Sequence, residues 1–276
     1  MFSALTILSF SGGVASAVHA GMNAGVGVNS NVSHVIETSE SCSTPYGSGT
    51  CLDTSECVGT SVSGYCSGPN EVQCCIDGSI STDTMGLDVC DSMTGSTTDC
   101  FAESFSFIVP RGFRSTGEVD SSVCTIIKNA YSSGFKVRDS YMFPCPTCSK
   151  SAETQVHEMV DHLNSNCKRE WSGRVWLDIE GSQYWSTSSS SNQAWYKQLV
   201  DSCKAVADCG VYTSSSQWTG IFGSSSFSYG SELPLWYAHY DNKADFSDFS
   251  EFAGWEEPHA KQFAGDVTGC GNDIDK

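Results

Sequence analysis

The chain has 276 residues, of which 39% are hydrophobic, enough for one barrel-sized domain and a small additional module. Its 32 acidic residues outnumber its 14 basic residues and give a net charge of −18, which argues against nucleic acid as a partner because phosphates would be repelled. No segment is long and apolar enough to span a bilayer, so we expect no membrane insertion.

The amino terminus has the composition of a secretory signal. An apolar stretch runs from Phe2 to Phe10 and small residues follow it, so residues 1–20 are predicted to be a signal peptide, although no Lys or Arg precedes Arg111. Fifteen cysteines without metal-type spacing also indicate an oxidising compartment. We therefore expect a protein that is secreted or lies in a lysosomal or phagosomal lumen.

A small cysteine-rich module is predicted at residues 42–75. It contains six of the cysteines and almost no aliphatic residues, so three disulfides are expected to replace a hydrophobic core. Six cysteines allow fifteen pairings, and the sequence does not choose among them. Residues 21–41 before the module and 76–83 after it are polar, and both are predicted to be linkers.

From residue 84 to residue 276, strand-like and helix-like segments alternate. Strands are predicted at residues 86–89, 106–109, 135–143, 174–180, 210–212, 234–240 and 260–263. Two amphipathic helices are indicated by the spacing of apolar residues, at Val156, Met159, Val160 and Leu163 and at Leu199, Cys203 and Val206. The Ser/Gly-rich residues 186–191 and 223–230 are predicted loops. This alternation predicts a parallel α/β barrel.

The strand predicted at residues 174–180 carries the candidate catalytic residues. Its aliphatic residues alternate with Trp176, Asp178 and Glu180, so one face is apolar and the other carries two carboxylates. If the aliphatic face packs under helices, both carboxylates point into the barrel near the carboxyl end of the strand, where parallel barrels hold their active sites. Carboxyls placed in this way can reach the spacing of roughly 5–10 Å used in glycoside hydrolysis. Acids at a strand end can also simply cap a loop or helix, so the motif alone does not distinguish a catalytic pair from capping residues.

Other motifs give no support for a metal or a cofactor, and we expect neither. His157 and His162 are five residues apart and would not share a helix face, so a zinc site is not expected there. Cys145 and Cys148 form a C-x-x-C motif after a strand in a cysteine-rich chain, which favours a structural disulfide over a redox site. Dinucleotide, nucleotide and serine-nucleophile fingerprints are absent from the sequence.

Eight short motifs, taken in chain order, resemble those of glycoside hydrolase family 25, the Chalaropsis-type lysozymes. They are Met85-Gly-Leu-Asp88-Val, Phe107-Ile-Val-Pro-Arg111-Gly-Phe, Ser140-Tyr141-Met-Phe143, Leu177-Asp178-Ile-Glu180-Gly, Gly210-Val-Tyr212, Leu235-Trp236-Tyr-Ala-His-Tyr240, Lys261-Gln262-Phe and Gly271-Asn-Asp-Ile-Asp275. The match covers about residues 84–276. Each piece is short, but the ordered set is specific.

The resemblance implies a fold, an activity and a set of site residues. The fold would be a modified TIM-like (β/α)5(β)3 barrel, and the activity would be cleavage of the β-1,4 bond between N-acetylmuramic acid and N-acetylglucosamine in bacterial peptidoglycan, by a protein that we expect to be a monomer. Glu180 would be the general acid, Asp178 would orient the acetamido group or stabilise the oxocarbenium-like state, and Asp88 and Asp275 would be flanking acids. The sugar site would be shaped by Tyr141, Phe143, Tyr212, Trp236 and Gln262. Asp275 departs from the family pattern, whose last motif usually reads D-x-N.

Two alternatives stand beside this interpretation. A chitinase of the D-x-x-D-x-D-x-E type would need an acid where Trp176 stands. A non-catalytic glycan-binding protein on a lysozyme-like barrel would be expected to have lost one or more acids, whereas all four are present.

The expected surroundings of Glu180 also suit a general acid. Nearby carboxylates and aromatic rings would raise the pKa of Glu180, so that it keeps the proton that a general acid donates.

Overall fold

The structure is a computed structural model, and its described part falls into two compact units. It describes residues 4–8, 40–44, 47–57, 60–62, 65–67, 69, 72–76, 84–265, 267–270 and 272–274. The larger unit contains residues 84–274 and strand β1 (Ala4–Leu8), and the smaller unit lies within residues 40–76. In the described ranges, each helix is too short or too polar to cross a membrane.

The smaller unit is an antiparallel sheet held by disulfides. Its strands are β2 (Ser41–Thr44), β3 (Gly47–Asp53), β4 (Thr60–Val62) and β5 (Val72–Ile76), in the order β2-β3-β5-β4. Three disulfides join Cys42 to Cys74, Cys51 to Cys66 and Cys57 to Cys75. The prediction of three disulfides is confirmed, and the buried half-cystines at Cys42, Cys74 and Cys75 fill the place of an apolar core.

The larger unit contains the remaining strands and five α-helices. The strands are β6 (Thr84–Val89), β7 (Phe107–Arg114), β8 (Glu118–Val119), β9 (Val137–Arg138), β10 (Ser140–Met142), β11 (Arg174–Asp178), β12 (Asp208–Thr213), β13 (Leu235–Ala238), β14 (Ala260–Gly265), β15 (Val267–Gly269) and β16 (Asn272–Ile274). The helices are α1 (Gly95–Ala102), α2 (Val123–Ser132), α3 (Ala152–Asn166), α4 (Ser189–Val206) and α5 (Ser215–Phe222), with a 3-10 turn at Ser182–Tyr184.

Eight of these strands form a closed ring. Strands β6, β7, β10, β11, β12, β13 and β14 pair in parallel, each with the next. Strand β1 closes the ring between β14 and β6, antiparallel to both. Helices α1 to α5 follow the first five parallel strands, and no helix separates β13 from β14. The prediction of a (β/α)5(β)3 barrel is confirmed.

Strand β1 lies where the sequence analysis predicted a leader. An apolar run such as Phe2 to Phe10 fits both the central region of a signal peptide and a buried strand, since neither requires amphipathic periodicity. Residues Ala4–Leu8 occupy the eighth position of the ring. Removal of residues 1–20 stays a prediction, and amino-terminal sequencing of the exported protein would test it.

The aliphatic face of β11 packs beneath the helices, as its alternation predicts. Val175, Leu177 and Ile179 are fully buried and belong to one apolar cluster with Leu163 of α3 and Leu199 of α4. Strand β11 is therefore oriented with Trp176 and Asp178 toward the barrel interior.

Side-chain caps set the helix boundaries. The Ser151 and Ser188 hydroxyls accept hydrogen bonds from the amides of Thr154 and Ser191, so α3 and α4 begin directly after them. Helix α4 consequently starts inside residues 186–191, and the loop prediction was wrong for Ser189 to Ser191.

Disulfides also tie together parts of the barrel. They link Cys100 to Cys270, Cys124 to Cys167, Cys145 to Cys148 and Cys203 to Cys209. The C-x-x-C motif thus forms the structural disulfide that its context predicted. Cys90, which is buried just after β6, is the cysteine outside these bridges.

A cluster of charged groups, of which Asp139 is buried, lies at the amino ends of the parallel strands. Arg174 donates from Nε to Asp208 (2.9 Å) and from Nη1 to Nε2 of His259 (3.2 Å). Trp176 donates from Nε1 to Asp139 (3.1 Å), whose carboxyl is only 5% exposed. Burial raises the pKa of Asp139 to about 6, and nearby Arg174 only partly offsets this effect.

This raised pKa links stability to pH. Since the native state binds the Asp139 proton more tightly than the unfolded chain does, the resulting stabilisation is complete below about pH 4 and is lost as the pH rises through about 6. The shift of about two units corresponds to about 3 kcal/mol. We expect Asp139→Asn, which keeps an acceptor for Trp176, to lose this part of the pH dependence. Urea unfolding of both proteins at pH 4.5 and pH 7.5 would show it, and identical pH dependence in the two would contradict the assignment.

Candidate active site

A cavity of about 400 Å³ lies at the carboxyl ends of the barrel strands. Its lining contains every predicted site residue in the described part of the chain, namely Asp88, Tyr141, Phe143, Asp178, Glu180, Tyr212, Trp236 and Gln262. They come from six different strands or strand ends, so the barrel brings together residues that are far apart in sequence. Asp275 lies outside the described residues.

The backbone after β11 holds Glu180 at the edge of the cavity. The Ile179 amide donates to the Tyr212 carbonyl oxygen (2.8 Å), and Trp185 donates from Nε1 to the Glu180 carbonyl oxygen (3.1 Å). Gly181 follows with a φ of +64°, and a Cβ there would lie 2.7 Å from the Tyr184 ring. The strand was predicted to reach residue 180 but ends at Asp178, because this left-handed glycine turns the chain.

Asp178 and Glu180 hold a proton more tightly than isolated carboxyls do. Burial raises the pKa of Glu180 to about 7. Burial, and then the charges of Glu180 and Asp88, raise the pKa of Asp178 well above its ordinary value, while Arg111 opposes this shift. Because two buried like charges repel each other, the pair keeps one proton up to about neutral pH.

Asp88 is tied to two tyrosines through one amide side chain. Gln262 donates from Nε2 to the Asp88 carboxylate (2.9 Å). The Oε1 atom of Gln262 accepts hydrogen bonds from the hydroxyls of Tyr212 and Tyr240. This network fixes the orientation of the amide, with its nitrogen directed at Asp88.

Aromatic rings form much of the remaining wall. Phe143 meets Tyr184 edge to face with ring centroids 5.2 Å apart, and Tyr212 meets Trp236 at 4.7 Å. Trp176 also points into the barrel, as predicted, and it packs against Trp236 at 5.7 Å without lining the cavity. Aromatic faces beside carboxyls suit the binding of sugar rings.

Two residues that line the cavity have an unsatisfied polar atom. Asp178 Oδ1 and Trp236 Nε1 are both buried, and neither has a hydrogen-bond partner within the described ranges. Such atoms are costly unless something satisfies them.

Sequence reasoning did not assign several lining residues. They are Arg111, Ser115, Gly181, Gln183, Tyr184 and Gln217. Arg111 stands in a quoted motif, but its inward position depends on the pairing of β7 with β10. Tyr184 enters through the 3-10 turn and Gln217 through α5, where it accepts a hydrogen bond from the Gly181 amide. No motif pattern marks those two positions.

One group of possible metal ligands lies away from this cavity. Ligand atoms of His239, Asp241 and Asp248 are within 4.8 Å of one another. The ammonium of Lys261 lies among them, 2.9 Å from Asp241 and 2.6 Å from Asp248. The Lys261 ammonium therefore already forms ion pairs with both carboxylates.

The fold and the cavity define a class of protein. A parallel barrel with two inward carboxyls, one of them protonated near neutrality, and with aromatic walls is the arrangement of a glycoside hydrolase.

Comparison with known proteins identifies the family. The family described as "Lysozyme-like protein 1" matches residues 80–263. Two Dictyostelium discoideum proteins, "Probable GH family 25 lysozyme 2" and "Probable GH family 25 lysozyme 5", are 44% and 40% identical, covering 68% and 70% of this chain and 88% of each relative. A muramidase from Acremonium alcalophilum shares the fold, with a TM-score of 0.50 at 22% identity over 64% of this chain and 85% of that one. The chain belongs to the lysozymes of glycoside hydrolase family 25.

Proposed function

We propose that this glycoside hydrolase is an N-acetylmuramidase, which hydrolyses the β-1,4 bond between N-acetylmuramic acid and N-acetylglucosamine in bacterial peptidoglycan. Glu180 is the main support, because its partly buried carboxyl retains a proton up to a pH of about 7 at the edge of a sugar-sized cavity. The relatives named as family 25 lysozymes support the same substrate class.

In the proposed reaction, Glu180 donates its proton to the glycosidic oxygen as the bond to the anomeric carbon breaks, and a water molecule then adds to that carbon and returns a proton to Glu180. Asp178 orients the substrate's acetamido group or stabilises the positive charge that develops on the sugar ring. Asp88 adds negative charge to the same cavity, and Tyr212, Trp236 and Phe143 hold the sugar rings.

We also propose the domain organisation and the location of the protein. Residues 42–75 would be a module separate from the catalytic barrel of residues 84–276, with linkers on either side, and Asp275 would be a further acid of the site. Seven disulfides suit an oxidising compartment, so secretion or delivery to a lysosomal or phagosomal lumen is proposed.

A clearing assay tests the proposed substrate. The purified full chain should reduce the turbidity of a suspension of bacterial walls and should leave colloidal chitin intact. Clearing of chitin with intact walls would favour a chitinase. Binding to walls without clearing of either substrate would favour a non-catalytic glycan-binding protein.

The raised pKa of Glu180 predicts the pH profile. Above about pH 7 the general acid loses its proton, and at low pH the carboxylate that must stay charged becomes protonated. We therefore expect a bell-shaped dependence of kcat/KM on pH, with its maximum below neutrality. Initial rates on solubilised glycan strands between pH 3 and pH 9 would show it, whereas a rate still rising above pH 8 would exclude Glu180 as the acid.

A further inference from the structure

Arg111 is the single cation among the described residues that line the cavity, which also contains Asp88, Asp178 and Glu180. It lies on β7, opposite Tyr141 of β10 in the strand pairing. Its side chain is 22% exposed. A cation placed among three acids changes where protons and charges lie, and the proposed reaction gives it no role so far.

The Arg111 guanidinium is held by two hydrogen-bond acceptors. Nε donates to Asp120 (2.9 Å), and Nη2 donates to the Cys90 carbonyl oxygen (3.0 Å). Asp120 is fully buried and also accepts from Arg114 and Ser122, so its own position is fixed. The remaining nitrogen, Nη1, makes no hydrogen bond to any described residue. Two anchors therefore fix the cation while one of its nitrogens stays available.

Asp178 is the acid on which this cation acts. The charged or titratable groups facing it come from several elements: Asp88 of β6, Arg111 of β7, Tyr141 of β10, Glu180 after β11, Tyr212 of β12 and Tyr240 after β13. Those facing Arg111 are Asp120, Tyr141 and Cys90. The positive charge of Arg111 opposes the burial that favours a protonated Asp178.

We infer that Arg111, held by Asp120, is a positioning residue that keeps Asp178 ionised and thereby leaves the shared proton on Glu180. This inference rests on the proposed function, because it explains how two adjacent acids take different roles. Glu180 can then donate while Asp178 carries the negative charge needed as the sugar ring becomes positive.

The test compares pH profiles of kcat and kcat/KM on solubilised peptidoglycan strands for the full chain and four variants. Arg111→Gln and Arg111→Met remove the charge, and Arg111→Lys retains it. Arg114→Gln is the matched control, because Arg114 also binds Asp120 but is 46% exposed and lies outside the cavity lining. Circular dichroism melting accompanies each variant to establish that it is folded, and either uncharged variant suffices if the other does not fold.

Without the Arg111 charge, the pKa of Asp178 should rise, so the acid limb of the profile should move up by about one pH unit, while the alkaline limb moves less. The maximal kcat should fall about tenfold because fewer molecules have the required protonation state. Arg111→Lys should restore the acid limb, KM should change less than about twofold, and Arg114→Gln should match the wild type.

An acid limb unmoved in a folded Arg111→Gln or Arg111→Met variant would overturn the inference. A rise in KM with an unchanged acid limb would instead mean that Arg111 binds substrate. If the acid limb of Arg114→Gln moved as far as that of Arg111→Gln, the shift would reflect the loss of any nearby positive charge and not the position of Arg111. The proposed function fails in a different way, because wild-type protein would then release no muramic acid reducing ends at any pH.

Discussion

Glu180→Gln is expected to lower the hydrolysis of peptidoglycan by about 10²–10⁴-fold, the usual contribution of a positioned general acid. The amide has the length and shape of the carboxyl but cannot donate the proton that leaves with the glycosidic oxygen. Binding of glycan should survive, because the aromatic walls and Asp178 are unchanged. Single-turnover rates on solubilised strands, together with binding measured by calorimetry, would separate the two effects.

Ile179→Val is the matched control for this substitution. Ile179 is the adjacent residue, but its side chain is fully buried in the apolar cluster on the helix side of the barrel. Loss of one methyl group should cost about 0.5–1.5 kcal/mol of stability and little activity. Near-normal turnover by a folded Glu180→Gln protein would mean that another group supplies the proton.

Asp178→Asn is expected to lower kcat by about 10²–10³-fold, because the active site loses a negative charge that stabilises the transition state. The substitution should also shift the pH profile. Without a neighbouring like charge, Glu180 ionises more easily, so its pKa falls and the alkaline limb moves to lower pH. Measurements of kcat between pH 3 and pH 8 would reveal both changes.

The same variant should be more stable than the wild type at neutral pH. Burial and neighbouring charges raise the pKa of Asp178, so its ionised form destabilises the native state, and this cost grows as the pH rises above the value for the unfolded chain. At pH 7.5 the free energy of unfolding should therefore be higher for Asp178→Asn than for the wild type, and the difference should shrink at pH 4. Lower stability of the variant at pH 7.5 would contradict the idea that this carboxyl is held under electrostatic strain for catalysis.

Much of the barrel can be predicted from local patterns. Strand β11 is recognisable because aliphatic residues alternate with Trp176 and Asp178, and α3 because its apolar residues repeat at helical spacing. Both patterns reflect which side chains face the buried layer between the sheet and its helices. The grouping of Asp88, Asp178 and Gln262 follows once the strands are arranged in parallel, because their carboxyl ends then meet at one end of the barrel.

Other features depend on contacts between distant residues. The fifteen possible pairings in the small module reduce to one set only in the folded sheet, where Cys51 lies opposite Cys74 across β3 and β5 but is bonded to Cys66. The position of Arg111 depends on Asp120, nine residues further on, and the position of Tyr184 depends on the left-handed turn at Gly181. Ser188 could not be recognised as a helix cap because serines surround it, and each of them could have served.

The identity of the new reducing ends tests the central claim most directly. Purified peptidoglycan digested by the wild-type chain would be reduced with borohydride, and the fragments would be sequenced by mass spectrometry. A muramidase leaves N-acetylmuramic acid at each new reducing end, so the reduced form of that sugar should appear in the wild-type digest and be almost absent from the Glu180→Gln digest. Reduced N-acetylglucosamine at the new ends, or fragments released by cleavage of peptide bonds, would contradict the proposed function.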